Sequence, residues 1–217
     1  MIIINFKSYR QSAGKKGLQL AKICQQVMER TGVKIIPCLQ TADIGLASQQ
    51  LSLPVWAQYF SLKEPDRNTG WVTAHSLAQA GAEGVLINHS EHPFKKINHI
   101  EKAVSLAKKE GLKTLVFVSS LEIAQKVDQF KPDFLALEEP TMVAGKVAMA
   151  QVPKLRKLIK DFCQAVSSLP IVGAGINNKE DIVNSLKLGA RGVALASSFI
   201  KADQPEKVLL ALASAFK

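Results

Sequence analysis

The sequence predicts an α/β fold, a (β/α)₈ barrel that occupies residues 1–217 as a single domain. Three observations support this prediction. Short apolar runs alternate with longer amphipathic runs, the apolar runs number eight, and no low-complexity stretch or linker divides the chain. Regular alternation of strands and helices is typical of a parallel sheet. Eight such units in a chain of 217 residues favour a closed barrel over an open sheet.

The predicted strands are rich in Ile, Val and Leu, which indicates that both of their faces are buried. Each is followed by a stretch in which apolar residues lie three and four positions apart, as in an amphipathic helix. The predicted strands are Ile2–Asn5, Val33–Cys38, Val55–Gln58, Gly84–Asn88, Thr114–Val118, Phe134–Glu138, Pro170–Gly173 and Gly192–Ala196. The clearest helical stretches are Leu18–Val27, Ile97–Lys108, Val152–Val166, Glu180–Leu188 and Pro205–Phe216.

A weak internal repeat agrees with this alternation. Residues 77–87 (LAQAGAEGVLI) resemble residues 186–195 (LKLGARGVAL). Each segment contains a helix end, a glycine, a short turn and an apolar strand. Glycine commonly ends a helix because it adopts the left-handed conformation without a Cβ penalty. The repeat therefore indicates two equivalent helix-to-strand connections and no particular chemistry.

The formal net charge is +10, which is compatible with a nucleic acid, an acidic membrane or an anionic substrate as partner. The lysines are spread through the helical stretches, and aromatic residues make up only 6% of the chain. No basic block alternates with aromatic residues. The pattern therefore predicts a solvated surface that favours small anions, and it argues against nucleic-acid binding.

No apolar run reaches the ~18 residues that a transmembrane helix needs, so no membrane partner is expected. The cysteines are Cys24, Cys38 and Cys163, and they are scattered without metal-ligand spacing. Such cysteines are typical of free thiols in a reducing cytoplasm. Neither a metal nor another cofactor is expected.

Active sites of barrels lie at the carboxyl ends of the strands, so the polar residues that follow each strand are the candidates. Asn5 and Lys7 follow the first strand and, two positions apart, share one face. A cation at this place could hold a phosphate or a developing oxyanion. The competing interpretation is a surface lysine whose stem covers apolar surface.

The fourth strand is followed by Asn88, His89, Ser90 and Glu91. We expect His89 near the start of the next helical turn, where free backbone N–H groups disfavour a positive charge. The ring would then be a neutral hydrogen-bond donor. The remaining histidines lie in or beside predicted helices and are expected at the surface. No second ligand stands at metal-binding spacing from His89.

The sixth strand is followed by Glu138, Glu139 and Pro140. A carboxylate in a closed, dry pocket is a good general base for a C–H proton. Adjacent residues point to opposite sides, so only one glutamate can face the barrel mouth. The competing interpretation is a simple ion pair with a lysine. Residues 140–151 show little pattern, which is typical of a lid.

Glycine and small residues follow the last two strands, as Gly173-Ala174-Gly175-Ile176 and Ala196-Ser197-Ser198. Barrels commonly bind phosphate at these two loops through backbone N–H groups and a helix N-terminus. Glycine lets the backbone approach the anion closely. The alternative is that these residues serve as turns only.

Together these residues resemble the triosephosphate isomerase family, and in particular its compact archaeal-type branch. The resemblance runs in order over nearly the whole chain. Its most specific part is the segment Gly84–Glu91, with the sequence GVLINHSE. The other matching parts are Asn5–Tyr9 (NFKSY), the loop from Ala57 to Gly70, Ala136–Glu138 and the two phosphate loops.

The resemblance implies a role for each candidate. Glu138 would take the proton from the carbon next to a carbonyl, and neutral His89 would polarise the carbonyl and move protons between the two oxygens. Lys7, with Asn5 beside it, would stabilise the enediolate, and Glu91 would orient a neighbour. The residues implied to hold the phosphate are Gly173, Gly175, Ala196 and Ser197, with Val143 or Gly145 reaching it from the lid.

The resemblance also implies the reaction and the assembly. The reaction is the cofactor-free interconversion of D-glyceraldehyde 3-phosphate and dihydroxyacetone phosphate in glycolysis and gluconeogenesis, with a small phosphorylated triose as the partner. In this family the loop after the third strand docks into a neighbouring subunit. Thr69 is the residue that would reach across, which implies a homo-oligomer, either a dimer or a tetramer.

The sequence departs from the family pattern at three places. Glu139 separates Glu138 from Pro140, so the strand register favours Glu138 as the base and counting back from the proline favours Glu139. Gly145 is followed by Lys146 in the lid, and Ser198 replaces a glycine. Two other functions therefore remain as alternatives: another phosphate-binding barrel isomerase or epimerase, and a barrel that binds a metabolite without turnover.

Overall fold

The computed structural model describes residues 1–139 and 148–217, and in them eight parallel strands close into a barrel. Each strand pairs with the next in sequence order, and the last pairs back onto the first. The predicted fold class is therefore confirmed. The strands are β1 (Ile2–Asn5), β2 (Ile35–Leu39), β3 (Trp56–Ala57), β4 (Gly84–Ile87), β5 (Lys113–Val118), β6 (Phe134–Leu137), β7 (Leu169–Val172) and β8 (Gly192–Leu195).

Helices connect these strands and cover the outside of the barrel. Those in the described residues are α1 (Gly14–Thr31), α2 (Thr41–Gln50), α3 (Ala74–Gln79), α4 (Ile97–Lys109), α5 (Leu121–Asp128), α6 (Pro153–Ala165), α7 (Lys179–Lys187), α8 (Ser197–Ile200) and α9 (Pro205–Ala213). Throughout residues 1–139 and 148–217, none of them is long and apolar enough to cross a membrane.

The structure differs from the predicted boundaries at several elements. β3 has only two residues, and the side chain of Gln58 beyond it donates to the carbonyls of Lys7 and Cys38. α1 extends well beyond the predicted Leu18–Val27. The prediction was too short because the ends of the helix are polar and show no apolar periodicity. The predicted helix Pro205–Phe216 is α9 followed by a 3₁₀ turn, and the short helix α8 was not predicted.

The strands alternate between two buried layers, which explains their continuous apolar composition. One set of side chains faces the barrel axis, and the other faces the surrounding helices. The axial layer consists of Ile3, Ile36, Cys38, Trp56, Leu86, Leu115, Phe117, Phe134, Ala136, Ile171 and Ala194. This alternation determines which residue faces the barrel mouth beyond each strand end.

The internal repeat corresponds to the α3–β4 and α7–β8 connections, as predicted. Gly81 and Gly189 have φ angles of 88° and 106°, in the left-handed region that favours glycine. Gly84 and Gly192 begin the two strands in close contact with other parts of the chain. A Cβ added to Gly84 would lie within 2.8 Å of three atoms of the Trp56 indole ring.

Gly84→Ala should lower the free energy of unfolding by about 1–3 kcal/mol, because a Cβ would overlap the Trp56 ring in the barrel interior. Gly45→Ala is the matched control: its position in α2 has no atom near the added Cβ. Alanine there should stabilise the protein by about 0.5–1 kcal/mol through its helix propensity. Urea unfolding of both variants measures the two effects, and equal changes would contradict the prediction.

Candidate functional site

At four strand ends, the alternation of side chains between the two faces of the strand places a candidate residue at the barrel mouth. Each candidate lies two positions beyond a side chain of the axial layer, so it continues the inward-facing set. The pairs are Ile3 and Asn5, Ala136 and Glu138, Ile171 and Gly173, and Ala194 and Ala196. The strand register therefore accounts for the side of the barrel on which these residues lie.

Two further candidates depend on backbone conformations that interrupt the alternation. Lys7 and Asn88 have φ angles of 48° and 61°, which are uncommon for residues other than glycine. Lys7 is held because its N–H donates to Asn5 Oδ1 at 3.0 Å. Asn88 donates to the Phe117 carbonyl at 2.9 Å and accepts from the Phe94 N–H at 2.9 Å. The left-handed conformation of Asn88 lets His89 reach the cavity beyond the end of β4.

A cavity lies where these strand ends meet, with a volume of about 550 Å³ including its open mouth. It brings together every predicted site residue that the structure describes, except Glu91 at its edge. The lining residues are Asn5, Lys7, Tyr9, His89, Phe117, Glu138, Gly173, Ala174, Gly175, Ile176, Asn177, Ala194, Leu195, Ala196, Ser197 and Ser198. The predicted contacts Val143 and Gly145 lie outside the described residues.

His89 begins a turn that precedes α4. The His92 N–H donates to the His89 carbonyl at 2.8 Å, and α4 begins only at Ile97. The Glu91 N–H donates to His89 Nδ1 at 3.1 Å. This bond needs a lone pair on Nδ1, so the neutral ring carries its proton on Nε2. The backbone N–H of Glu91, in this turn, thus sets the tautomer of His89.

The pKa of His89 is lowered from its usual value, chiefly because the ring is buried. Phe117 packs edge-on against it, with the ring centroids 4.9 Å apart. Glu138 raises the pKa and Lys7 lowers it, and Glu91 makes a smaller contribution that raises it. The sum favours the neutral imidazole, as predicted for a hydrogen-bond donor.

Glu138 faces His89 across the cavity. Its side chain is buried, and its Oε1 lies 3.6 Å from His89 Nε2. Its Oε2 is also buried and has no hydrogen-bond partner among residues 1–139 and 148–217. Glu139, on the opposite side of the chain, is only partly buried and does not line the cavity. This geometry agrees with the strand register that favours Glu138 over Glu139.

Lys7 provides a positive charge beside this pair. Its Nζ donates to Glu91 Oε1 at 2.7 Å. The Lys7 side chain is 11% exposed and that of Glu91 is 59% exposed, so the pair is screened on one side only. Glu91 therefore holds the ammonium group from outside the cavity that Lys7 lines.

The loops after β7 and β8 form the other end of the cavity. Gly175 has a φ angle of 73°, which a glycine adopts without strain. α8 begins at Ser197, directly after Ala196, so its first N–H groups have no intrahelical partner. The Ser198 hydroxyl donates to the Ile176 carbonyl at 3.0 Å and joins the two loops. This bond links the two loops that the sequence predicted to bind a phosphate.

Several residues of the site were not predicted. Phe117 shields His89, Asn177 and Tyr9 line the cavity, and the Lys201 ammonium lies 4.5 Å from the centre of the Tyr9 ring. Phe117 could have been found, because it belongs to the inward-facing set of a predicted strand. Tyr9 and Asn177 lie in loops, where the sequence carries no periodic signal.

Thr69 lies in the loop between β3 and α3 and does not line the cavity. It is exposed, and the nearby Trp71 is 57% exposed, an unusual fraction for a tryptophan. The Ser61 N–H and hydroxyl both bond to the Val72 carbonyl and close the base of this loop. These bonds hold the two ends of the loop together, and Thr69 and Trp71 lie exposed to solvent between these ends.

Comparisons with known proteins agree with this geometry. The family model described as "Triosephosphate isomerase" matches residues 1–215. The chain is 35% identical to the triosephosphate isomerase of Methanobacterium bryantii over 219 aligned positions, which cover 99% of this chain and 96% of that protein. It is 32% identical to the enzyme of Methanocaldococcus jannaschii over 214 positions, with 96% of each chain covered.

A solved structure shows the same fold at lower sequence identity. The crystal structure of the triosephosphate isomerase from Bartonella henselae superposes with a TM-score of 0.77, at 15% identity, over 99% of this chain and 98% of that one. The barrel of this architecture is the TIM barrel. The match of one family model to almost all of the sequence, together with archaeal relatives above 30% identity, shows that the chain belongs to the triosephosphate isomerase family.

Proposed function

We propose that the chain is an active isomerase that interconverts D-glyceraldehyde 3-phosphate and dihydroxyacetone phosphate. The observation that carries this proposal is the pairing of a buried carboxylate, Glu138, with a neutral imidazole, His89, 3.6 Å apart in one cavity. A carboxylate base and a hydrogen-bond donor that face each other in one cavity are the arrangement that enolisation requires.

Glu138 acts as the general base. Its buried Oε2 has no partner in the described part of the chain and is therefore available to a substrate proton. The carboxylate takes a proton from the carbon beside the carbonyl, and the electron pair of the broken C–H bond forms the C=C bond of an enediolate. Glu138 then returns the proton to the neighbouring carbon, so it is regenerated without a cofactor.

His89 acts on the oxygens. Its Nε2–H donates to the carbonyl oxygen, where negative charge develops as the C–H bond breaks. The ring gives this proton to one oxygen of the enediolate and takes the proton of the adjacent hydroxyl. Because burial keeps the pKa of His89 low, the starting state is the neutral ring, which donates through Nε2–H without first releasing a proton to solvent.

Lys7 and the two loops bind the charged ends of the substrate. Lys7 lines the cavity together with both loops, so its ammonium group can attract the phosphate or a developing oxyanion. Gly175, Ala196 and Ser197 provide backbone N–H groups for the phosphate. The Gly173 N–H already donates to the Leu137 carbonyl at 2.9 Å, so Gly173 contributes only the close approach of a backbone without a Cβ. The basic surface of the chain, with a formal net charge of +10, favours approach of this anion.

The direct test is a coupled assay of isomerisation in both directions with the purified wild-type protein. Turnover of both triose phosphates supports the proposal. Turnover of a pentose phosphate without turnover of trioses would favour the alternative of another barrel isomerase or epimerase. Binding of dihydroxyacetone phosphate in calorimetry without any turnover would favour a non-catalytic barrel.

We also propose that the protein is a homo-oligomer formed through the β3–α3 loop. The support is the exposure of Trp71 next to Thr69, on a loop that projects from the barrel. An exposed aromatic residue of this size is typical of an interface. In sedimentation velocity experiments, the wild type should sediment as a dimer or tetramer and Trp71→Ser should shift toward the monomer. A monomeric wild type would rule the interface out.

We further propose that residues 1–217 form a single domain that works in the cytoplasm. The pairing of β1 with β8 supports the first point, since the barrel closes only when both chain ends are included. The free cysteines Cys24, Cys38 and Cys163 support the second, because unpaired thiols persist in a reducing compartment. Limited proteolysis and cell fractionation test the two points.

A further inference from the structure

We infer that Ser198 is a positioning residue that sets the spacing between the two phosphate-binding loops. The inference rests on the proposed function, since it concerns the phosphate group of that substrate. Ser198 and Ile176 lie 22 positions apart in the chain, on the two different loops. The Ser198 hydroxyl donates to the Ile176 carbonyl at 3.0 Å.

The bond joins two loops that the barrel itself does not hold together at this level. The last ladder pair between β7 and β8 is Val172 with Val193; β7 ends there, and β8 continues to Leu195 only along β1. Ser198 lies in the first turn of α8, and Ile176 lies in the loop after β7. The hydroxyl therefore connects the loops beyond the end of the ladder, where both line the cavity.

The β7 loop is already held on its other side. Asp181, which is fully buried at the start of α7, accepts the N–H groups of Asn177 at 2.9 Å and Asn178 at 3.1 Å. Asn177 Nδ2 donates to the Gly175 carbonyl at 2.8 Å. The loop is thus internally fixed and anchored to α7, so one bond from Ser198 is sufficient to set its distance from α8.

The spacing affects binding because both loops must present N–H groups to one phosphate. When two loops move independently, binding of a phosphate to both must order both, and the lost entropy weakens the binding free energy. Loops that are already joined are pre-organised and lose less entropy. Ser198 directs its proton to Ile176, so the hydroxyl acts through the loop and not as the phosphate donor. Its loss should weaken the hold on the phosphate and leave the Glu138–His89 pair unchanged.

The test compares Ser198→Ala and Ser198→Gly with the wild type, with inorganic phosphate as a competitive inhibitor. One net hydrogen bond corresponds to binding about 2- to 12-fold weaker. We expect the inhibition constant for phosphate and the KM for dihydroxyacetone phosphate to rise by this factor, with a smaller change in kcat. Ser198→Thr, which keeps the hydroxyl, should restore both constants. Ser214→Ala, which removes a similar serine-to-carbonyl bond far from the cavity, should change neither.

Two results would overturn the inference. Phosphate binding by Ser198→Gly as tight as in the wild type, or tighter, would mean that the hydroxyl does not position the loops. Equal loss in Ser198→Thr and Ser198→Ala would mean that the hydroxyl is irrelevant. An active wild type with unchanged Ser198 variants refutes this inference alone, whereas a wild type without isomerase activity refutes the proposed function.

Discussion

Glu138→Gln should lower kcat by about 10²- to 10⁴-fold, the contribution expected of a positioned general base. Glutamine keeps the size and the hydrogen-bonding shape of the side chain but cannot accept the C–H proton. Glu139→Gln should lower kcat by less than about tenfold, because Glu139 lies on the outer side of the chain and does not line the cavity. The coupled assay measures kcat for both variants beside the wild type.

The two glutamates form a matched pair, because they are neighbours and undergo the same chemical change. Melting curves and the inhibition constant for inorganic phosphate establish that both variants are folded and keep their phosphate end. Near-wild-type kcat in Glu138→Gln with a large loss in Glu139→Gln would transfer the role of base to Glu139. It would also show that the register seen beyond β6 is not the one used in catalysis.

Lys7→Met should lower kcat/KM by about 10²- to 10³-fold, the loss expected when one preorganised charge at a developing anion is removed. Methionine keeps the length of the stem, and it meets the same backbone strain at a φ of 48°. The variant should also change the pH profile. Lys7 lowers the pKa of His89, so its removal should raise that pKa.

The sign of the pH effect follows from the protonation state of His89 that is active in catalysis. The active ring is neutral, so kcat/KM falls as the pH drops through the pKa of His89. In the wild type this fall should lie below about pH 6.5, the usual histidine value, because the pKa is lowered. In Lys7→Met it should move to higher pH. NMR titration of the His89 ring provides an independent measurement.

Glu91→Gln is the control for this charge effect. Glu91 raises the pKa of His89, so its removal should move the acid fall to lower pH, opposite to the change in Lys7→Met. Glu91→Gln also removes the ion pair that holds Lys7, which should lower kcat/KM by a smaller factor than the loss of Lys7 itself. Shifts in the same direction in both variants would contradict the proposed charge arrangement.

The fold was predictable because hydrophobic periodicity is a local property. Continuous apolar runs such as Phe134–Leu137 carry the strand signal directly, and glycine after a helix marks positions such as Gly81. The helix ends were less predictable where they are polar, as in α1. The two-residue β3 was overestimated because Gln58 satisfies neighbouring carbonyls with its side chain, an interaction between strands that no local pattern reveals.

The site divides in the same way. Successive side chains of a strand point to opposite faces, and this alternation places Asn5, Glu138, Gly173 and Ala196 at the barrel mouth. The alternation can be counted from the sequence alone. His89 is different, because it faces the cavity only through the left-handed conformation of Asn88, which bonds to Phe117 and Phe94 on other segments. The His89 tautomer likewise depends on the turn that brings the Glu91 N–H to Nδ1.

The sequence by itself therefore determined the barrel, the order of its elements and the residue types at each strand end. Those features depend on periodicity and on the chemistry of single side chains. Only the tertiary structure decided which of Glu138 and Glu139 faces His89, how burial lowers the pKa of that histidine, and that Ser198 joins Ile176. These depend on distances between segments far apart in the chain, which closure of the barrel brings to within a few ångströms.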